Sequence, residues 1–325
     1  MSSGQTPIAS GFDASSTASD VLKGVNLSGR FAVVTGGYSG LGFETTRALA
    51  AAGATVLVPA RRIAHAESEL AALAALPGTI EVDELDLADL GSVRAFAERF
   101  LASGRSIDIL INNAAVMACP ETRTSNGWES QFATNHLGHY ALSNQLYSAL
   151  TADGGARVVS LSSTGHKLSP IRWDDVMFER DTYDKWLAYG QAKTANSLFA
   201  VYLDALGKRD GVRAFAVHPG GIMTPLQRHL PKEEMIRLGW VDELGNVNSA
   251  FKSPAQGAST SVWAATSPQL DGLGGVYCED CDIAAATDPE SPSARYLGVN
   301  EHAVNGGSAR RLWALSAELT NANAF

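Results

Sequence analysis

An α/β fold is predicted, one doubly wound parallel sheet with helices on both faces, and three observations predict it. Short apolar runs alternate with helix-length segments over the first 220 residues, as in parallel βαβ units. Helical segments end on glycine or proline, as at Gly53 and at Pro77-Gly78. No internal repeat or interdomain linker interrupts the 325 residues. The chain is therefore read as an N-terminal extension (1–28) with a short helix, then one domain (29–325).

Residues 1–15 are rich in Ser, Gly and Ala and are expected to be poorly ordered. Thr17-Ala18-Ser19-Asp20 is a capping box ahead of a short helix ending near Gly24. Strands are expected at Phe31–Val34, Thr55–Val58, Ile80–Leu85, Ile107–Ile111, Arg157–Leu161 and Val212–Val217. Helices fall between them at Leu41–Ala52, Ala64–Leu76 and Leu90–Leu101, with two long ones around 127–149 and 185–208. After Gly220 the alternation stops. Residues 225–252, with Pro225, Pro231 and Trp240, read as an insertion over the carboxyl edge of the sheet, where such folds bind ligands. Ser253-Pro254 starts another helix, Val276–Cys278 is a last strand, and Ala309–Glu318 closes a helical tail.

The net charge of -9, without a basic run, excludes nucleic acid or an anionic membrane as the main partner. No apolar stretch approaches the roughly 20 residues that span a bilayer, so no membrane anchor is expected. Residues 1–30 show no secretory pattern. Three cysteines, Cys119, Cys278 and Cys281, suit a reducing, cytoplasmic setting. Cys278-Glu279-Asp280-Cys281 is half of a zinc pattern without its second pair, so two ordinary thiols and no metal are expected.

Directly after the first strand stands Thr35-Gly36-Gly37-Tyr38-Ser39-Gly40-Leu41-Gly42. Glycines at 36, 40 and 42 permit a tight turn and close approach of backbone to a pyrophosphate, with a helix N-terminus behind. A carboxylate at the end of the second strand would bind adenosine ribose hydroxyls and repel a 2′-phosphate. Here the chain reads Pro59-Ala60-Arg61-Arg62, and guanidiniums suit a phosphate. NADP(H) is therefore expected over NAD(H), unless both arginines merely begin a solvated helix. Further on, Tyr189 and Lys193 lie four apart on one helix face. A phenol titrates at about 10, and a neighbouring ammonium would lower that value toward useful acid–base chemistry.

Together with Asp86-Leu87, Asn112-Asn113-Ala114-Ala115, Thr134-Asn135-His136-Leu137-Gly138-His139, Ser162-Ser163 and Pro219-Gly220 with Thr224, these residues resemble the short-chain dehydrogenase/reductase family. Within it the chain is most similar to the retinol dehydrogenase and WW-domain oxidoreductase-like group, through Leu110–Met117 and the long gap between Ser163 and Tyr189. The resemblance implies a three-layer Rossmann domain and an NAD(P)-dependent hydride transfer on a carbonyl or alcohol. It assigns Tyr189 as general acid or base, Lys193 to lowering the Tyr189 pKa and to the nicotinamide ribose, and Ser163 to the substrate oxygen, with Ser162 as rival. Asn135 would anchor a water in a proton relay to Lys193. Asp86 and Leu87 would meet adenine, Asn113 and Ala114 would line the cofactor cleft, and Thr224, beside Pro219 and Gly220, would meet the carboxamide. Tyr38 replaces the usual Asn of this group and Ala115 the usual Gly.

A small carbonyl or alcohol substrate is expected, and the resemblance also implies pairing of copies through the two long helices, a surface the extension and tail could block. His166 stands open between a loop role and a place facing substrate. An NADP(H)-binding regulator without turnover, or a C=C reductase on the same scaffold, is the alternative.

Overall fold

Apolar runs long enough to cross a sheet but too short for a helix become strands in the computed structural model, which describes residues 4–325. They are β1 Phe31–Val34, β2 Thr55–Ala60, β3 Thr79–Glu84, β4 Ile109–Asn112, β5 Arg157–Leu161, β6 Arg213–His218 and β7 Val276–Glu279. A two-residue strand, β8 Asp282–Ile283, follows a turn in which Asp280 and Cys281 both take positive φ. The sheet runs β3-β2-β1-β4-β5-β6-β7-β8, parallel except for β8. β8 carries too little pattern to be foreseen. β4 begins two residues later than expected; just before it the Asp108 carboxylate accepts from Arg30 Nη1 at 2.6 Å and Phe31 N at 2.7 Å.

Helices α1 Ala18–Val21, α2 Gly40–Ala51 and α4 Leu90–Ala102 follow the expected segments, whereas α3 Ile63–Leu70 stops short of the expected Leu76 and passes into a 3-10 turn at Ala71–Leu73. Thr17 and Asp20 form the foreseen capping box. The long segment around 127–149 is broken into α5 Ser130–Phe132, a π turn at Ala133–Leu137, α6 Gly138–Gln145 and α7 Tyr147–Thr151. α8 Lys185–Gly207 is continuous, capped by Asp184. α9 Lys232–Arg237, α10 Pro254–Gly257, α11 Ser259–Thr266 and α12 Gly306–Thr320 complete the chain. One core cluster packs α2 and α11 on one sheet face, and a second packs α4, α6 and α8 on the other. α12 lies on α6 and α8, its Trp313 ring stacked on Phe199 at 5.9 Å and edge-on to Tyr140 at 4.8 Å.

The expectation of poor order at the N-terminus is corrected for residues 4–15; residues 1–3 lie outside the described part. Gln5 completes the sheet edge: its amide accepts from Tyr277 N at 2.7 Å and donates to the carbonyls of Tyr277 and Ala284. Asp282 then takes the N–H groups of Ile8, Ala9 and Ser10. Polar side chains matched to unpaired backbone groups order a segment whose composition alone suggests none.

Among the described residues no helix is long and apolar enough to cross a membrane. Cys278 and Cys281 are buried, and Cys281 Sγ lies 3.2 Å from Ser259 Oγ.

Candidate active site

The first crossover to reverse direction along the sheet lies between β1 and β4, so their carboxyl ends leave a crevice there. It opens into a cleft of about 1570 Å³ that runs along the carboxyl edge from the end of β2 to the loops beyond β7. Every site residue expected from sequence borders this cleft except Asn135, which lies behind its wall.

The glycine turn shows why glycine is needed. Gly36 and Gly40 have φ of 64° and 51°, and a Cβ on Gly42 would stand 2.3 Å from Gly36 O and 2.6 Å from Asn113 Nδ2. Ser39 precedes α2 without a side-chain cap, so the first N–H groups of the helix stay available for a bound anion. Tyr38 sits at the outer end, its ring edge-on to His65 at 5.7 Å. Arg61 and Arg62 are exposed beside it. Asp86 turns inward on its own loop, accepting from Ala88 N at 3.0 Å, and Leu87 packs with its carbonyl against Gly138.

Thr35, which drew notice in the sequence only as part of the motif, is the knot of this half. Its Oγ accepts from Asn113 N at 2.9 Å and Ala114 N at 3.0 Å, so its own proton must leave, toward His139 Nε2 at 2.8 Å. That fixes the His139 tautomer with the proton on Nδ1, which donates to Asn135 O at 2.9 Å. Asn113 Nδ2 closes the knot on Thr35 O at 2.8 Å. His139 is thus a brace rather than an acid, and burial lowers its pKa to about 4. The Asn135 amide is spent at both ends, accepting from Val116 N and donating to Val116 O, each at 2.9 Å. This tie coincides with the π turn.

Two serines compete at the end of β5, and the hydrogen bonds separate them. Ser162 is buried, donating to Lys193 O at 2.8 Å and accepting from Ser197. Ser163 faces the cleft and accepts from Gly165 N at 3.0 Å, with Tyr189 bordering the same cleft. Gly165 escaped the sequence reading: a Cβ there would meet the Tyr189 ring at 2.7 Å.

Burial pushes Tyr189 up to about 12, with the Ser163 hydroxyl pulling the other way. Lys193 is itself driven down to about 7 by burial. Its Nζ donates to Leu161 O at 2.8 Å and stands 5.6 Å from the centre of the Tyr189 ring. His166 does not face the cleft: Nδ1 donates to Ser163 O at 2.7 Å, and Nε2 accepts from Asn300 N at 3.1 Å.

Thr224 caps the turn Pro225–His229 and leans over Gly40, while Pro219 and Gly220 (φ 96°) form the floor beside it. The far wall is apolar: Met117, Trp186, Leu226 and Trp240, with the two indoles edge to face at 5.9 Å. Glu234 holds α9 to α8 by accepting from Trp186 Nε1 at 2.8 Å and Lys185 Nζ at 2.6 Å. Leu226, Leu238, Trp240 and Phe251 of the segment 225–252 border the cleft.

Residues 30–235 match the short chain dehydrogenase family. A probable oxidoreductase of Streptomyces lividans is 45% identical over 306 residues, covering 92% of this chain and all of that protein. Retinol dehydrogenase 12 of Mus musculus is 38% identical over 297 residues, covering 91% and 87%. A crystal structure of an uncharacterized protein from Mycobacterium paratuberculosis superposes with a TM-score of 0.73 at 34% identity, covering 96% of this chain and 99% of that one.

Proposed function

This chain belongs to the short-chain dehydrogenase family of NAD(P)-dependent oxidoreductases, near the retinol dehydrogenases, and on that premise we propose that it is an NADP(H)-preferring reductase of a carbonyl group. The observation that carries this reading is that Tyr189, Ser163 and the glycine turn border one cleft. The glycine cradle, the uncapped N-terminus of α2 and the exposed Arg61 and Arg62 fit a dinucleotide with a 2′-phosphate. Asp86, Leu87, Asn113, Ala114 and Thr224 would hold its remaining parts. When bound, the nicotinamide supplies the hydride.

The chain's own residues supply position and a proton. Ser163 holds the substrate oxygen by its hydroxyl, freed because Ser162 takes the structural bonds. Tyr189 gives that oxygen a proton; a phenol held at about 12 is fully protonated at neutral pH, which suits reduction. Lys193 would hold the nicotinamide ribose and pass a proton to the phenol, and Asn135 would anchor the water that resupplies Lys193. The apolar wall excludes water from the reacting carbon.

NADPH oxidation against a panel of ketones and aldehydes tests the reading. Tyr189→Phe is expected to lower kcat by about 10²–10⁴-fold, the range for a lost general acid, with NADPH affinity unchanged. An unchanged rate removes Tyr189 from the mechanism. Tight NADPH binding without turnover by the wild type would favour a regulator, and a saturated C–C product a C=C reductase.

A further inference from the structure

After β8 the chain leaves the sheet and returns to it at Val299, making a loop whose mouth is closed by Thr287 N to Val299 O at 2.9 Å and Val299 N to Ala285 O at 3.0 Å. Such a loop needs a filling, and 287–293 contribute only small, polar and proline side chains. The filling comes from elsewhere. The Lys167 ammonium donates to Thr287 Oγ1 at 2.6 Å and to the carbonyls of Ala294 and Leu297, each at 2.8 Å, using all three of its protons. Asn300 N donates to His166, and Gly298 N to Glu279 Oε1 at 2.8 Å. Lys167 and His166 belong to the turn Thr164–Leu168, which begins immediately after Ser163. On its outer side the loop presents Tyr296, 61% exposed, and Leu297, 47%, next to Leu168, 50%. All three border the cleft. Apolar side chains left in water at the border of a cleft with an apolar far wall mark where a ligand's body would be covered.

Resting on the carbonyl site proposed above, we infer that Lys167 pins the loop 287–300 to the serine turn, and that the pinned loop selects substrates with an extended apolar body. Lys167 is a positioning residue: it touches the loop, not the reacting atoms. Its loss frees Tyr296 and Leu297 and leaves the proton chemistry in place.

Binding of 1-decanol and 1-propanol to the NADP⁺ complex, read from tryptophan fluorescence, tests this without turnover. Lys167→Met is expected to weaken decanol about five- to tenfold, the equivalent of one to two lost apolar contacts, and propanol less than about twofold. Lys167→Arg should restore most of the difference, because a cation still reaches the carbonyls. Tyr296→Ser, at a site too exposed to threaten the fold, should weaken decanol alone by about threefold. In turnover, KM for decanal should rise in Lys167→Met with kcat unchanged. Equal weakening of both alcohols, or of neither, overturns the inference. If Tyr189→Phe leaves the rate intact, the carbonyl reading falls, while the decanol-to-propanol ratio still decides the role of Lys167.

Discussion

The two halves of the cleft are held in different ways. Around the glycine turn the bonds run between segments that the sheet already sets side by side: Thr35 ends β1, Asn113 follows β4, and these strands are paired at Val34 and Ile111. Around the far half the bonds reach from single side chains to distant loops, as from Lys167 to Leu297, 130 positions on, or from Lys185 to Glu234, 49 on. The first half is rigid because backbone fits backbone, so that no atom can be added. The second is a set of loops pinned by polar side chains, each of which can be changed singly. A shared cofactor calls for the first kind of construction, and a substrate that differs between relatives permits the second.

The sharpest test sets one glycine in each half against the other. Gly42→Ala puts a methyl 2.3 Å from a backbone oxygen, whereas Gly221→Ala meets only the Phe251 ring at an ordinary 3.7 Å. Overpacking against backbone costs about 1–3 kcal/mol. Gly42→Ala should therefore lower NADPH affinity by about 10- to 100-fold in a fluorescence titration. Gly221→Ala should leave it within about twofold. Equal losses would mean that the two halves are equally rigid.

A smaller effect is expected where the rigid half meets solvent. Arg61→Ala and Arg62→Ala each remove a guanidinium from the end of β2 without disturbing the turn. A hydrogen bond to a charged group contributes about 1.5–3 kcal/mol, so affinity for NADPH should fall about tenfold or more while that for NADH stays constant. Parallel titrations with the two cofactors measure the ratio. If both affinities fall together, the arginines serve the turn and not a phosphate.

The same division explains what could be read in advance. β1, β5, α4 and the extent of α8 were legible to within a residue because apolar period and caps are local signals. The glycine turn and the strand ends were legible because each motif residue acts on its neighbours in the sheet. The order of residues 4–15 was not, since it depends on Gln5 finding the edge of β7, 272 positions away. Nor was the π turn, which reflects the tie between Asn135 and Val116 rather than any helix-breaking residue. The Tyr189 pair was found by spacing, yet the burial that shifts both groups was not, because helical spacing places two side chains on one face without stating how deeply they are buried.

Two buried histidines carry the comparison into pH. His139 knots the cofactor half and His166 the serine turn, and burial lowers them to about 4 and about 3. Unfolded, each titrates at about 6.5. Between these values the unfolded chain binds protons that the folded chain refuses, so stability is complete above about 6.5 and falls as pH drops toward 4. Each histidine contributes a slope of at most ~1.4 kcal/mol per pH unit. In urea unfolding at pH 7 and pH 5, His139→Asn and His166→Asn should each show a smaller loss at pH 5 than the wild type, by about 2 kcal/mol. Their functional effects should part: His139→Asn loosens Thr35 and weakens NADPH, whereas His166→Asn frees Asn300 and raises KM for long aldehydes. If His166→Asn weakened NADPH as much as His139→Asn does, the serine turn would belong mechanically to the cofactor half. The boundary between the two kinds of construction would then lie beyond Ser163, at the loop 287–300 itself.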